Sequence, residues 1–233
     1  MSKLQKMKSG ELEALHRPAK SDNSPAVLFL HGYGADQSDL APFADMMDPE
    51  QKFDWYFPNG ILEVIIAPGF TGRAWFQIDI EEFEAAMREG RLRDLSKNRP
   101  VGFDQALATV NSFFQELQDR HGKVFLGGFS QGAMLSTELA FIAEPKPTGL
   151  AILSGAHLDA ENWNQLSKKA KGLQFIQSHG DNDALLPPKG AKDLYMILRE
   201  AGLEGQFLTF SGGHEIPLQV VERVAQFIGK QLS

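Results

Sequence analysis

The chain has 233 residues, 42% hydrophobic and 23% charged, with 22 glycines and 12 prolines. Those proportions suit one globular domain spanning the chain, exclude a collagen-like or low-complexity protein, and give enough length to bury a core unaided. A net charge of −7 argues against a nucleic-acid partner, and zero cysteines exclude disulfides, a thiolate nucleophile and cysteine-ligated zinc.

The basic N-terminal stretch lacks the apolar segment of a secretory signal, and no run approaches the roughly 18 apolar residues of a membrane span. The expectation is a cytoplasmic protein without integral membrane contact. Residues 11–16 read as an antiparallel edge strand. The apolar run Ala26–Leu30, stopped by His31-Gly32, has the length of a buried strand. A second run covers residues 53–57 and stops at Pro58-Asn59-Gly60. The third, Leu62–Ala67, fits a strand or an extended connection. Residues 68–100 then break the rhythm. They hold Gly69, Gly72, the pair Trp75-Phe76 and an acidic-to-basic stretch from Asp79 to Arg93. This segment reads as a long, partly helical excursion between two sheet strands, usable as a lid or a contact surface.

Beyond it, helices and strands alternate. Phe103, Leu107, Val110, Phe114 and Leu117 step by three or four and define one apolar helical face. Met134, Leu135, Leu139 and Ile142 define a second, Leu194, Ile197 and Leu198 a third, and Val220, Val224, Phe227 and Ile228 a fourth. Short apolar runs at 123–126, 150–153, 173–176 and 206–210 lie between them. Continuous apolar runs mark strands covered on both faces. The expected fold is therefore α/β, a mostly parallel central sheet with helices on both faces.

The chemistry concentrates at Gly128-Phe129-Ser130-Gln131-Gly132, between a strand and a helix. G-x-S-x-G in that context is a nucleophile elbow, a turn too sharp for side chains at the glycine positions, which lifts the serine hydroxyl above the sheet. A serine needs a base, and in this kind of fold the order is serine, acid, histidine. That order excludes His16, His31 and His121. No strand-end acid separates His157 from Ser130, and His179 itself precedes the acids. His214, in a glycine-rich loop past the last strand, is left as the base. Asp181 and Asp183 both follow the preceding strand. Asp183 is favoured as the acid on spacing, with Asp181 supporting the turn. An oxyanion hole would use the N–H groups of Gln131, just after the nucleophile, and of Tyr33, in the loop after an early strand. Trp75, Phe76, Met134 and the apolar residues from Ile61 to Phe70 are candidates for an acyl groove, with core packing the alternative.

Four motifs now stand in order: LHGYG at 30–34, GFSQGAM at 128–134, HGDNDALLP at 179–187 and GGHEIP at 212–217. Together they resemble the phospholipase/carboxylesterase family of α/β-hydrolases, which includes the acyl-protein thioesterases. Trp75-Phe76 is similar to that family's tryptophan-phenylalanine segment near the acyl pocket. The resemblance spans residues 25–230. It implies Ser130 as nucleophile, Asp183 as acid, His214 as base, and Tyr33 and Gln131 as oxyanion donors. It also implies hydrolysis of carboxylic esters without a cofactor or metal, on a small-molecule ester or an acyl thioester. Acyl-protein thioesterase and lysophospholipase activities are the alternatives. The sequence departs from the family pattern where Ala35 precedes Asp36, where Ala184 replaces a common proline, and where Gln77 replaces a usual acid. None of these touches the triad, but the last bears on substrate choice.

Two rival classes exist. A non-catalytic binding protein on this fold would be expected to lose a triad member, and all three are intact. A nucleotide- or metal-dependent enzyme would carry G-x-G-x-x-G, a P-loop or a ligand spacing, and none occurs. The sequence carries no signal for an oligomeric state.

Overall fold

The computed structural model describes residues 4–79, 95–97 and 99–233. A hairpin of β1 (Gln5–Ser9) and β2 (Leu12–Arg17) comes first, followed by β3 (Ala26–Leu30), helix α1 (Pro42–Met47) and β4 (Asp54–Pro58). A second hairpin, β5 (Leu62–Ala67) and β6 (Phe70–Ala74), precedes α2 (Phe103–His121). The remainder alternates: β7 (Val124–Phe129), α3 (Gln131–Ile142), β8 (Leu150–Leu153), α4 (Ala160–Leu166), β9 (Gln174–Gly180), α5 (Pro188–Glu200), β10 (Glu204–Phe210) and α6 (Leu218–Leu232).

Eight strands form one sheet in the order β1-β2-β4-β3-β7-β8-β9-β10. From β4 to β10 every neighbour is parallel, while β2 runs antiparallel to both β1 and β4. The strand expected at the edge is thus the second one in. The true edge, QKMKS, is polar and mostly exposed, so no apolar pattern announces it.

Strand β3 explains the two-sided core. All five of its side chains are buried. Ala26, Leu28 and Leu30 pack into the layer under α2, α3 and α5, with Phe113, Leu139 and Leu194. Val27 and Phe29 point the other way, into the layer built with α1 and α6, with Ala44, Val224 and Ile228. The period-two geometry of a strand divides a continuous apolar run between both faces.

The run Leu62–Ala67 is a strand, but it lies outside the main sheet and pairs only with β6. Pro68-Gly69 supplies the connecting turn, and Gly69 has φ +80, the left-handed backbone that a turn of this kind demands. The first part of the excursion is therefore strand. Of the rest of the 68–100 excursion, expected to be partly helical and usable as a lid, a single helical turn at Leu95–Lys97 is described, and residues 80–94 and 98 lie outside the described residues.

Candidate active site

The residues singled out by motif lie at the C-terminal ends of parallel strands, where open α/β sheets place their ligand crevices. Ser130 sits between β7 and α3 with φ 54 and ψ −117, a strained backbone for a side-chain-bearing residue. The flanking glycines make that turn possible. A Cβ at Gly128 would stand 2.5 Å from the Gly132 carbonyl carbon, and one at Gly132 would collide with the Leu30 carbonyl oxygen. Ser130 N–H donates to Leu153 O at 2.9 Å, tying the elbow to β8.

His214 reaches the elbow from the loop after β10. The Ser130 hydroxyl faces its Nε2 at 2.8 Å, and its Nδ1–H donates to Asp183 Oδ2 at 2.7 Å. The Phe129 ring packs against the imidazole with centroids 4.8 Å apart. Asp183 is buried, and its Oδ1 accepts the N–H groups of Leu185 and Leu186, both at 2.9 Å. Burial would raise its pKa, but the hydrogen bonds from His214 and Leu186 outweigh burial and hold it below the ordinary carboxylate value. Asp181 is exposed, and its backbone N–H donates to Phe210 O at 2.9 Å. Between the two acids, the structure brings Asp183 to His214.

Gln131 is the first residue of α3, so its N–H has no acceptor within the helix. Tyr33 lies in the loop after β3, and both residues border the same cavity as Ser130 and His214. That cavity measures about 730 Å³. Phe76, Val101, Met134, Leu158 and Leu186 give it apolar walls.

Trp75 lies behind this lining. It is fully buried and does not border the cavity. Its indole N–H donates to His31 O at 2.9 Å, so it braces the Tyr33 loop instead of facing an acyl chain. Phe76, its neighbour, does border the cavity.

Two supporting side chains escaped sequence reasoning. The Gln131 amide grips the Trp75-Phe76 backbone, accepting Trp75 N–H and donating to Phe76 O, each at 2.8 Å. His31 accepts Gly60 N–H on Nε2 at 2.9 Å and donates from Nδ1 to Gly32 O at 2.7 Å. Burial lowers its pKa to about 4, so it is neutral near pH 7. Both partners depend on contacts between segments distant in sequence, and no local motif signals them. Among the described residues, no group of three or more His, Asp or Glu could hold a metal ion, and no helix is long and apolar enough to cross a membrane.

Comparison with known proteins agrees with this architecture. Residues 14–232 match the Phospholipase/Carboxylesterase family. An acyl-protein thioesterase 1 of Debaryomyces hansenii is 29% identical over 212 residues, 85% of each chain. One from Kluyveromyces lactis is 27% identical, covering 93% of this chain and 94% of that protein. The crystal structure of esterase PE8 superposes with a TM-score of 0.76 at 23% identity, covering 93% of this chain and 97% of that one. A carboxylesterase from Mesorhizobium loti gives a TM-score of 0.75 at 19% identity, covering 97% and 98%. The fold is thus that of an α/β-hydrolase. The chain belongs to the phospholipase/carboxylesterase family and is an ester hydrolase.

Proposed function

We propose that the protein is a carboxylesterase working through a Ser130–His214–Asp183 triad and an acyl-enzyme. The observation that carries this reading is the hydrogen-bonded chain from Asp183 through His214 to Ser130 at the wall of an apolar cavity. His214 Nε2 takes the Ser130 proton as the hydroxyl oxygen attacks the ester carbonyl. The carbonyl oxygen becomes an oxyanion, held by the N–H groups of Gln131 and Tyr33. His214 then protonates the departing alkoxide, which leaves an ester on Ser130. Water, deprotonated by the same imidazole, attacks that ester, and the acid is released as Ser130 recovers its proton. Asp183 keeps the imidazole in the Nδ1–H tautomer and stabilises the imidazolium. The acyl chain lies along Phe76, Val101, Met134 and Leu158.

A second reading, acyl-protein thioesterase, shares every step except that a thiolate leaves. It is favoured by the names of the relatives from Debaryomyces hansenii and Kluyveromyces lactis. One experiment tests both. Hydrolysis of p-nitrophenyl esters from acetate to palmitate is measured for the wild type and Ser130→Ala, alongside an S-acyl peptide with the best acyl chain. Each buried methylene contributes about 0.8 kcal/mol, so kcat/KM rises roughly fourfold per methylene until the cavity is full. Ser130→Ala lowers turnover by several orders of magnitude. A mutant that keeps its activity contradicts the proposal. A thioester cleaved far faster than the matched oxyester selects the second reading.

A further inference from the structure

His179 is a buried histidine that the reaction outlined above does not use. It lies near the end of β9, four residues before Asp183, and is 1% exposed. Its Nε2 stands 2.7 Å from Leu186 O and 3.3 Å from Asp183 Oδ2. Both neighbours are oxygen acceptors, so Nε2 must carry the proton. The hydrogen bond goes to Leu186 O, and the carboxylate lies beside the same N–H dipole. The other ring nitrogen, Nδ1, is buried and has no hydrogen-bond partner. An unpaired buried polar atom is costly, whereas an apolar side chain of similar size would carry no such penalty. Burial also lowers the pKa of the imidazole, which keeps the ring neutral.

What the ring secures is the turn Asp183-Ala184-Leu185-Leu186. Leu185 and Leu186 present the two N–H groups that fix Asp183 Oδ1, and His179 fixes the carbonyl of Leu186. The other oxygen, Oδ2, which lies 3.3 Å from His179 Nε2, is the one that His214 Nδ1–H meets. The carboxylate is therefore held from one side by a turn that is itself pinned to the sheet by His179. We infer that His179 is a positioning residue that orients Asp183 toward His214 by anchoring the 183–186 turn. This rests on the reading of Asp183 as the acid of the triad. Misplacing a reacting group by about 1 Å costs on the order of 100-fold.

The test uses purified full-length protein and p-nitrophenyl butyrate. His179→Leu withdraws the donor, His179→Asn keeps an amide too short to reach Leu186, and His179→Gln places an amide N–H where Nε2 stood. The expected result is a kcat fall of about 10- to 100-fold for the Leu and Asn variants, KM within twofold of wild type, and recovery to within about fivefold for Gln. In an Asp183→Asn background, His179→Asn costs less than about twofold further, because residues acting as a unit are not additive. Thermal unfolding accompanies each variant. Wild-type kcat in the Asn variant overturns the inference. So does an equal loss in the Asn and Gln variants that tracks a common fall in Tm, or full additivity with Asp183→Asn. Turnover surviving in Ser130→Ala marks a different failure, that of the triad itself.

Discussion

At the scale of single residues, His31 links the pH response of the fold to the integrity of the Tyr33 loop. Its two ring nitrogens bridge Gly60 N–H and Gly32 O, and its pKa is lowered to about 4. The unfolded chain binds a proton at this position near pH 6.5, while the folded chain resists it until about pH 4. Between those values the unfolded state holds more protons, so stability falls as pH falls through that window. The full effect is on the order of 3 kcal/mol. Urea unfolding at pH 7 and pH 4.5 should show that loss, and His31→Gln should flatten the slope, leaving the part contributed by His179 and His121, whose pKa values burial also lowers. An unchanged slope in the variant would contradict the assignment. The residues with chemical motifs were legible in the sequence: Ser130 by its glycines, His214 by chain order, Asp183 by spacing. Their supports were not. His31 and Gly60 are 29 residues apart, and Gln131 and Phe76 are 55 apart, so only the folded chain brings them together.

Elements are tied together by a buried carboxylate, Glu138, paired with a partly exposed guanidinium, Arg99. Glu138, 2% exposed on α3, accepts both terminal nitrogens of Arg99 at 2.8 and 3.0 Å, and the Trp163 indole N–H from α4 at 2.7 Å. Arg99 also reaches Asp104 at the start of α2 and stacks over Phe103, 4.6 Å from the ring centroid. Because Arg99 borders the cavity, this cluster couples its wall to the helix behind Ser130. Removing one partner leaves a buried charge, whereas replacing both with apolar groups is often close to neutral. Arg99→Met should therefore cost about 3–5 kcal/mol in urea denaturation, and Arg99→Met with Glu138→Leu should recover at least half of it. A single variant as stable as wild type would show that the pair carries no structural weight. Elements with long apolar runs or clear helical periodicity were readable, and β3, β7 and the face of α2 fall close to expectation. Strand β1 was not, since an exposed strand lacks an apolar run; β5 was readable as a strand or an extended connection from the run Leu62–Ala67, but its partner β6 and the pairing that takes both out of the main sheet were not.

The whole molecule works because four connections open at the same sheet edge. The ends of β3, β7 and β10 deliver Tyr33, Ser130 and His214 to one cavity, and the end of β9 places Asp183 behind His214. Each motif directly follows a strand, which is why the order of motifs along the chain was informative about the site. The shape of the cavity was not, since its walls come from segments as far apart as Ala35 and Leu186. The apolar walls point to an acyl group, and the identity of the leaving group is a matter for kinetics. The central claim, that Ser130 carries the acyl group, has a direct test. The protein is treated with an alkyl fluorophosphonate, which mimics the tetrahedral intermediate, and modified peptides are mapped by mass spectrometry. The account predicts one phosphonyl group per chain, on Ser130, with labelling abolished in Ser130→Ala and strongly slowed in His214→Ala. Label on another residue, or unhindered labelling of Ser130→Ala, would contradict it.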